Sequence, residues 1–138
     1  MFDLVHEARG MIAAMAPELE QGQFVFCAVP TQDSERVSVV AIGTFREREG
    51  WSAILPANDA RNLGLKSDQL LRMIRLGVDS ALDGVGLTAA VSTALAEIGI
   101  ACNVVAALRH DYLFVPAADA DRAIARLESL SAEARESS

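Results

Sequence analysis

The chain has 138 residues, of which 51% are hydrophobic and 22% charged, and this composition is typical of a globular protein with an apolar core. Its 12 basic and 19 acidic residues give a formal net charge of −7, without any basic run. Binding to nucleic acid or to an anionic membrane depends on clustered Lys and Arg, so both are disfavoured as partners.

The N-terminal segment and the two cysteines favour a cytoplasmic location. Asp3, Glu7 and Arg9 interrupt the first residues, so we predict no signal peptide, and no apolar run reaches the length of a membrane span. Cys27 and Cys102 each lie in an apolar, strand-like run. Such positions favour buried, reduced thiols over a disulfide framework.

Apolar spacing predicts the elements of the first half in chain order. A helix is predicted over residues 4–15 and ends before Pro17, because proline lacks an N–H donor. The β-rich residues then predict strands over 23–29, 37–45 and 51–55, with a charged turn at 46–50. A short helix follows from Pro56 and is closed by Gly64.

The second half repeats this alternation of strands and helices. A buried strand over 70–78 leads through a loop at 79–86 to a helix with Leu87, Val91, Leu95 and Ile98 on one face. Gly99 predicts its left-handed cap, with Ile100 packing back on the last turn. A hairpin turned at His110 and Asp111 then precedes a final helix from Pro116 and a polar tail.

Two short blocks suggest an internal duplication. Val39-Val40-Ala41 recurs at residues 104–106, and the block at residues 56–60 recurs at residues 116–120, each time with Pro first and Asp fourth. Chance similarity among Ala and Val is the alternative. The matched order of the blocks predicts two related β-β-α units.

Residues 80–130 resemble an ACT domain. The resemblance rests on the loop at residues 83–87 (DGVGL), the helix-turn motif at residues 95–100 (LAEIGI) and Asn103 at the start of the next strand. With the N-terminal half included, the chain looks like small bacterial proteins that are described as tandem ACT-like. It departs from the usual ACT pattern in lacking Pro-Gly beside the acid of the loop. It also has no strand after the last helix, and residues 23–29 are a candidate for that sixth strand.

The resemblance implies an α+β fold of ferredoxin-like βαββαβ units, in which helices cover one face of an antiparallel sheet. We predict a first unit at residues 1–66, which includes the N-terminal helix. A second unit is predicted at residues 67–131, and a flexible tail at residues 132–138.

The loop before the second-unit helix is the predicted ligand site. Its glycines let backbone approach a ligand, and the helix N-terminus suits a carboxylate, while a loop acid suits an ammonium group. The predicted ligand-binding residues are therefore Asp83, Gly84, Val85, Gly86 and Leu87, with Asn103 added by the resemblance. The alternative is a tight turn in which Asp83 only caps the helix.

Other polar groups carry weaker signals. The charges at residues 46–49 suit a solvated hairpin better than an anion clamp, and His110 with Asp111 suits a turn better than an acid–base pair. Cys27 lies among apolar neighbours and suits a structural thiol better than a nucleophile. Two His and two Cys do not form a metal-ligand spacing, so we predict neither metal nor cofactor.

Three hypotheses of function remain. The first is a regulatory module, without catalytic activity, that binds a small amino acid-like molecule and forms a homodimer. The second is an assembly protein that forms ACT-type oligomers without a ligand. The third is an enzyme, such as a transferase, which is disfavoured because no nucleophile, base and orienting group come together in the sequence.

Overall fold

The computed structural model describes residues 4–77 and 86–136. The helices are α1 (Leu4–Ala14), α2 (Ser34–Val40), α3 (Ala57–Asn62), α4 (Leu87–Glu97) and α5 (Ala120–Glu136). The strands are β1 (Pro17–Leu19), β2 (Phe24–Ala28), β3 (Gly43–Glu47), β4 (Gly50–Pro56), β5 (Leu71–Leu76), β6 (Asn103–Ala106) and β7 (Asp111–Pro116). Both predicted element types and their antiparallel pairing are confirmed, so the fold is α+β with ACT-type units.

The chain divides into two compact units. One consists of residues 21–72, which are inserted into the chain of the other, formed by residues 1–20 and 73–138. We call the first the inserted unit and the second the outer unit. This division differs from the predicted boundary at residue 66, because α1 packs with α5 and α4 of the outer unit.

The inserted unit is a β-α-β-β-α arrangement closed by the beginning of β5. β4 lies between β3 and β2 and is antiparallel to both, and β2 also pairs with β5 through Phe24 and Leu71. Helices α2 and α3 bury one side of this sheet. The buried cluster of the unit contains Val25, Cys27, Val37, Ala53, Leu55, Ala57 and Ala60.

The β-branched residues at 37–45 predict a strand, and for residues 37–40 this prediction is wrong. These residues belong to α2, and strand β3 begins only at Gly43. Val37 is buried, Val40 and Ala41 pack against the same cluster, and Val39 faces solvent, which is helical spacing. Burial of one helical face outweighs the weak β preference of valine.

This correction removes half of the predicted repeat. Val39-Val40-Ala41 ends a helix, whereas residues 104–106 belong to β6. The second block holds, because Pro56 and Pro116 each end a strand and lead directly into helical residues. The similarity of the first block is therefore one of composition only.

The outer unit takes its additional strand from the residues before the insertion. β1 pairs antiparallel with β5, from Pro17 opposite Leu76 to Leu19 opposite Ile74. Gly77 N–H donates to the Ala16 carbonyl at 2.9 Å, and a side chain at Gly77 would collide with that same oxygen. Residues 17–19 therefore form the sixth strand of this unit. The sequence had suggested residues 23–29 for that strand.

The core of the outer unit lies between its sheet and the helices α4 and α5. Its buried cluster is formed by Met15, Ile74, Leu76, Leu87, Val91, Leu95, Ile100, Leu113, Val115, Ala120, Ala123 and Leu127. The predicted cap of α4 is confirmed, since Gly99 has φ +75° and Ile100 N–H donates to the Leu95 carbonyl at 2.9 Å. The hairpin turn lies at residues 107–110, because Asp111 is buried and begins β7.

The C-terminal tail predicted at residues 132–138 is wrong as far as Glu136, because α5 continues to that residue. Ser131 is buried and its hydroxyl lies 3.1 Å from both the Ala13 and Met15 carbonyls. Arg135 also donates to the Ala13 carbonyl at 3.1 Å and to Ser131 Oγ at 2.8 Å. These bonds attach the end of α5 to the end of α1.

Within residues 4–77 and 86–136, none of the helices combines the length and the apolar character that crossing a bilayer requires.

Candidate functional site

Half of the predicted ligand site lies within the described residues. Asp83, Gly84 and Val85 lie outside them. Gly86 is the N-cap of α4, Leu87 is its first residue, and Asn103 begins β6 opposite Phe114. Leu87 is buried in the outer-unit core, so its side chain serves packing and leaves only its backbone for a ligand.

Gly86 occupies a position that requires glycine. Its φ of +102° is a left-handed conformation that other residues rarely adopt, and a Cβ there would lie 2.6 Å from the Cβ of Ala8. Among the described residues, no side chain caps α4 at this position, and the Gly86 carbonyl accepts the Ala90 N–H at 3.0 Å. The N-cap of α4 therefore has no side chain of its own, and the positive end of the helix dipole lies at this position.

Gly86 and Asn103 lie at opposite ends of α4. Asn103 follows the C-terminal cap at Gly99, whereas Gly86 precedes the first turn. The 11 residues of α4 span about 16 Å at the usual rise per residue. Within one outer unit, Gly86 and Asn103 therefore do not lie around one small molecule.

A groove in the inserted unit was not predicted. It has a volume of about 410 Å³, and Val25, Ala60 and Leu65 contribute apolar surface to its lining. Arg61, Lys66 and Asp68 also line it, and all three side chains are exposed. Polar residues at 66–68 directly after a helix cap are the one sequence signal for it, and such a run is also typical of a simple loop.

The cap of α3 builds this groove. Gly64 has φ +71°, Gly64 N–H donates to the Arg61 carbonyl at 3.1 Å, and Leu65 N–H donates to the Ala60 carbonyl at 2.9 Å. This pattern turns the chain back on the helix and packs Leu65 against the inserted-unit cluster. Lys66 and Asp68 follow within three residues of Leu65 and line the groove together with Arg61 of the helix.

A second hollow lies on the sheet of the inserted unit. Its volume is about 530 Å³, and Phe26, Phe45 and Trp51 contribute to its lining. The Arg46 guanidinium lies 4.9 Å from the centre of the Trp51 ring, which is a cation–π geometry. Phe45 is 71% exposed, and its strand β3 pairs only with β4 among the described strands.

His110 contacts a charged side chain of the sheet. Arg75 Nη2 lies 2.8 Å from His110 Nε2, and Arg75 Nη1 lies 3.4 Å from Glu18 Oε2. Arginine can only donate, so Nε2 of His110 is the acceptor in this contact. The pair ties the β6–β7 turn to β5, which is consistent with the structural interpretation of His110.

The two thiols are poor nucleophiles. Both cysteines are free, and burial raises the pKa of Cys27 and raises the pKa of Cys102 to about 11. The reactive species is the thiolate, which is scarce at neutral pH under these conditions. In the described part of the chain, His, Cys, Asp and Glu also form no group of three or more that could hold a metal ion.

Comparison with protein families matches both halves of the chain. Two family models, each described as an ACT domain, match residues 5–72 and residues 67–129. No curated protein matches the chain.

Several solved structures are similar to this chain. A protein of unknown function from Vibrio cholerae, described as a possible transport protein, is 40% identical, with a TM-score of 0.83 over 94% of this chain and 99% of that chain. A protein from Agrobacterium tumefaciens is 17% identical, with a TM-score of 0.65 over 85% and 89%. The ligand-free regulatory subunit of aspartate kinase from Thermus thermophilus is 9% identical, with a TM-score of 0.64 over 85% and 96%, a likeness of fold alone.

Proposed function

Because the chain belongs to the ACT-domain family, with two ACT domains in tandem, we propose that it is a regulatory module that binds a small amino acid and has no catalytic activity. The family and the fold of the aspartate kinase regulatory subunits support a ligand-binding regulatory module. In this proposal the module acts on a protein partner or through its own oligomeric state.

The observation that carries the proposal is the beginning of α4. The helix starts at Gly86 in a left-handed conformation, and no side chain in the described part of the chain caps it, which supports a carboxylate site at its first N–H groups. In this proposal the α-carboxylate lies at these N–H groups. Asp83 of the preceding loop receives the ammonium group.

Asn103 enters this site from a second copy of the chain. Gly86 and Asn103 are separated by the length of α4 within one unit. A homodimer that places β6 of one copy beside the α4 N-terminus of the other completes the site. The ligand would then stabilise the dimer, since it binds residues of both copies.

A thermal-shift screen of the amino acids tests this proposal. Ligand at about a hundred times its dissociation constant stabilises the folded state by about 2.7 kcal/mol, which raises the melting temperature measurably. We expect one amino acid to do so, and Asp83→Ala and Asn103→Ala to abolish the shift. Asp121→Ala removes an exposed carboxylate from α5 and is the matched control. A flat screen with the wild-type protein contradicts the proposal.

A second candidate, an assembly protein without a ligand, is favoured by the exposed apolar residues of the inserted unit. Val39 is 83% exposed, Ile42 49% and Phe45 71%, along α2 and the strand β3. Unpaired strand edges with apolar neighbours favour pairing with another chain. Two copies joined through this region would form a stable homodimer in the absence of any metabolite.

Light scattering separates this candidate from the first. The assembly hypothesis expects a dimer in plain buffer that Phe45→Glu converts to a monomer. Leu108→Glu, at an equally exposed apolar residue of the outer unit, should leave the dimer intact. A wild-type monomer in plain buffer rules the assembly hypothesis out.

The proposed location is the cytoplasm, where free thiols at Cys27 and Cys102 stay reduced. Cell fractionation of the native protein, with the redox state of both thiols read by alkylation, checks this. Recovery with membranes or outside the cell contradicts it.

A further inference from the structure

The hollow on the inserted unit lies on the face of the sheet opposite α2 and α3. The strand residues that face the two helices belong to the buried cluster of the unit, namely Val25, Cys27, Ala53 and Leu55. Because successive side chains of a strand point to opposite faces, Phe26 of β2 and Ser52 of β4 point to the other face. Phe45 of β3 pairs with Ser52, so it lies on that face as well. These three residues all line the hollow.

Small residues form the floor of this hollow. Ala28 pairs with Ser52, and the next residue of β4 on the same face is Gly50, which has no side chain. Phe26 lies beside Ala28 along β2, and Phe45 lies across from the floor on β3, and the two phenylalanines are 42% and 71% exposed. The volume of about 530 Å³ falls within the roughly 300–1,000 Å³ of small-molecule sites. Two exposed aromatic residues around this floor therefore leave space for a compact ligand.

Two carboxylates lie at the turn end of the hollow. Glu47 pairs with Gly50 across β3 and β4, and Glu49 lies in the turn between these strands. Both glutamates line the hollow, and among the described residues neither forms an ion pair. The Arg46 guanidinium contacts the Trp51 ring, 4.9 Å from its centre. The hollow therefore combines aromatic side chains with negative charge that no described cation neutralises in an ion pair.

We propose that this hollow binds a small organic cation whose charge is carried by a methylated ammonium group. Phe26 and Phe45 contact the methyl groups through apolar and cation–π interactions, and Glu47 and Glu49 attract the charge. A quaternary ammonium has no N–H group, so it loses no hydrogen bond to water when it lies on an apolar floor. The net charge of −7 adds to the attraction of cations. The site does not involve the loop before α4, and it goes beyond the function proposed above.

The fluorescence of Trp51 tests the hollow, because Trp51 is the only tryptophan of the chain and lies between Gly50 and Ser52 in its lining. Choline chloride is the probe, with sodium chloride at equal ionic strength as the blank. We expect a saturable change with choline. The neutral isostere 3,3-dimethylbutan-1-ol should bind about tenfold more weakly, because it has the same shape without the charge. Absence of choline binding, or equal binding of choline and the alcohol, overturns the proposal.

Variants test the roles of the individual residues. Glu47→Gln/Glu49→Gln should weaken choline binding about tenfold, because it removes both carboxylates. Phe45→Leu keeps an apolar side chain but removes the ring, and should weaken choline binding about fivefold. Asp121→Asn/Glu128→Gln removes two exposed acids from α5 and is the matched control, with affinity within about twofold of wild type. An equal loss in the glutamate variant and in this control overturns the site, because only the overall charge would then matter.

A second copy of the chain is the competing occupant of this surface. Light scattering at the concentrations of the titration distinguishes the two. A dimer that Phe45→Glu dissociates and choline does not would show that another copy covers the hollow, and would overturn the cation site. Choline binding to a species whose size Phe45→Glu leaves unchanged supports the site. Asp83→Ala, which removes the acid of the loop before α4, should bind choline as the wild-type protein does.

Discussion

The outer and inserted units share one fold but bury different cores. The outer unit carries the helices α1, α4 and α5, of 11, 11 and 17 residues, and its core is rich in leucine and isoleucine. The inserted unit has only α2 and α3, of 7 and 6 residues, and its core consists largely of alanine and valine. Short helices bring few apolar side chains to a sheet. The inserted unit therefore has a modest core, a groove and exposed apolar residues, while the outer unit has the larger buried cluster.

Removing a core leucine from each unit should have the largest effect. Leu127 of the outer unit and Leu55 of the inserted unit are both 0% exposed, so each Leu→Ala change leaves a cavity and lowers the free energy of unfolding by about 2–5 kcal/mol. Urea denaturation measures this loss. We expect hydrogen exchange to accelerate mainly in β7 and α5 for Leu127→Ala, and mainly in β2 and β4 for Leu55→Ala. If either variant accelerated hydrogen exchange equally in both units, the two units would not have separate cores.

The close contact of α1 with the beginning of α4 gives the next largest effect. Gly86→Ala forces an unfavourable φ and pushes a Cβ against Ala8, which should cost about 1–3 kcal/mol. Gly10→Ala is the control, because Gly10 lies in α1 and the added Cβ would have no described atom of another part of the chain within 4 Å. That change should stabilise the protein by about 0.5–1 kcal/mol. Thermal denaturation of both variants measures these changes in stability. An unchanged melting temperature for Gly86→Ala would contradict the contact between Gly86 and Ala8.

The attachment of α5 to α1 should have a smaller effect. Ser131→Ala removes the hydroxyl donor from the buried Met15 carbonyl and from the part-buried Ala13 carbonyl, which Arg135 still contacts, and should cost about 1–2 kcal/mol. Ser129→Ala, an exposed serine two residues earlier in the same helix, should change stability by less than about 0.5 kcal/mol. Chemical denaturation curves of the two variants measure the difference, and equal effects would show that α5 frays at its end.

The smallest effect concerns the stability of the outer unit at high pH. The folded protein raises the pKa of Cys102 from 9.0 to about 11, so it disfavours the thiolate relative to the unfolded chain. The contribution of the neutral Cys102 thiol to the free energy of unfolding is complete below pH 9 and is lost between pH 9 and 11. Cys102→Ala should flatten the fall of unfolding free energy over that interval, as followed by denaturation at several pH values. An unchanged slope would show that the thiol is not desolvated.

Structural features that depend only on residues close together in the sequence were predicted well. The cap at Gly99, the helix from Leu87 and the strand β5 follow from apolar spacing and from the backbone freedom of glycine, and these properties act over a few residues. The ACT-type fold also follows from such local motifs. At the candidate site, the sequence identifies Gly86 as a backbone position of special conformation. It does not indicate that Ala8 lies against it, because the two residues are far apart in the chain.

The sequence by itself determined the helix caps, most strands and the α+β class, because each depends on short-range spacing and on the backbone freedom of single residues. Only the tertiary structure decided that Val37–Val40 is helical, that β1 pairs with β5, and that α5 continues into its predicted tail. Ser131 contacts Ala13 across 118 positions of sequence, and Pro17 of β1 pairs with Leu76 of β5 across 59. Such contacts arise from burial and strand pairing between remote segments, and no local pattern of residues encodes them.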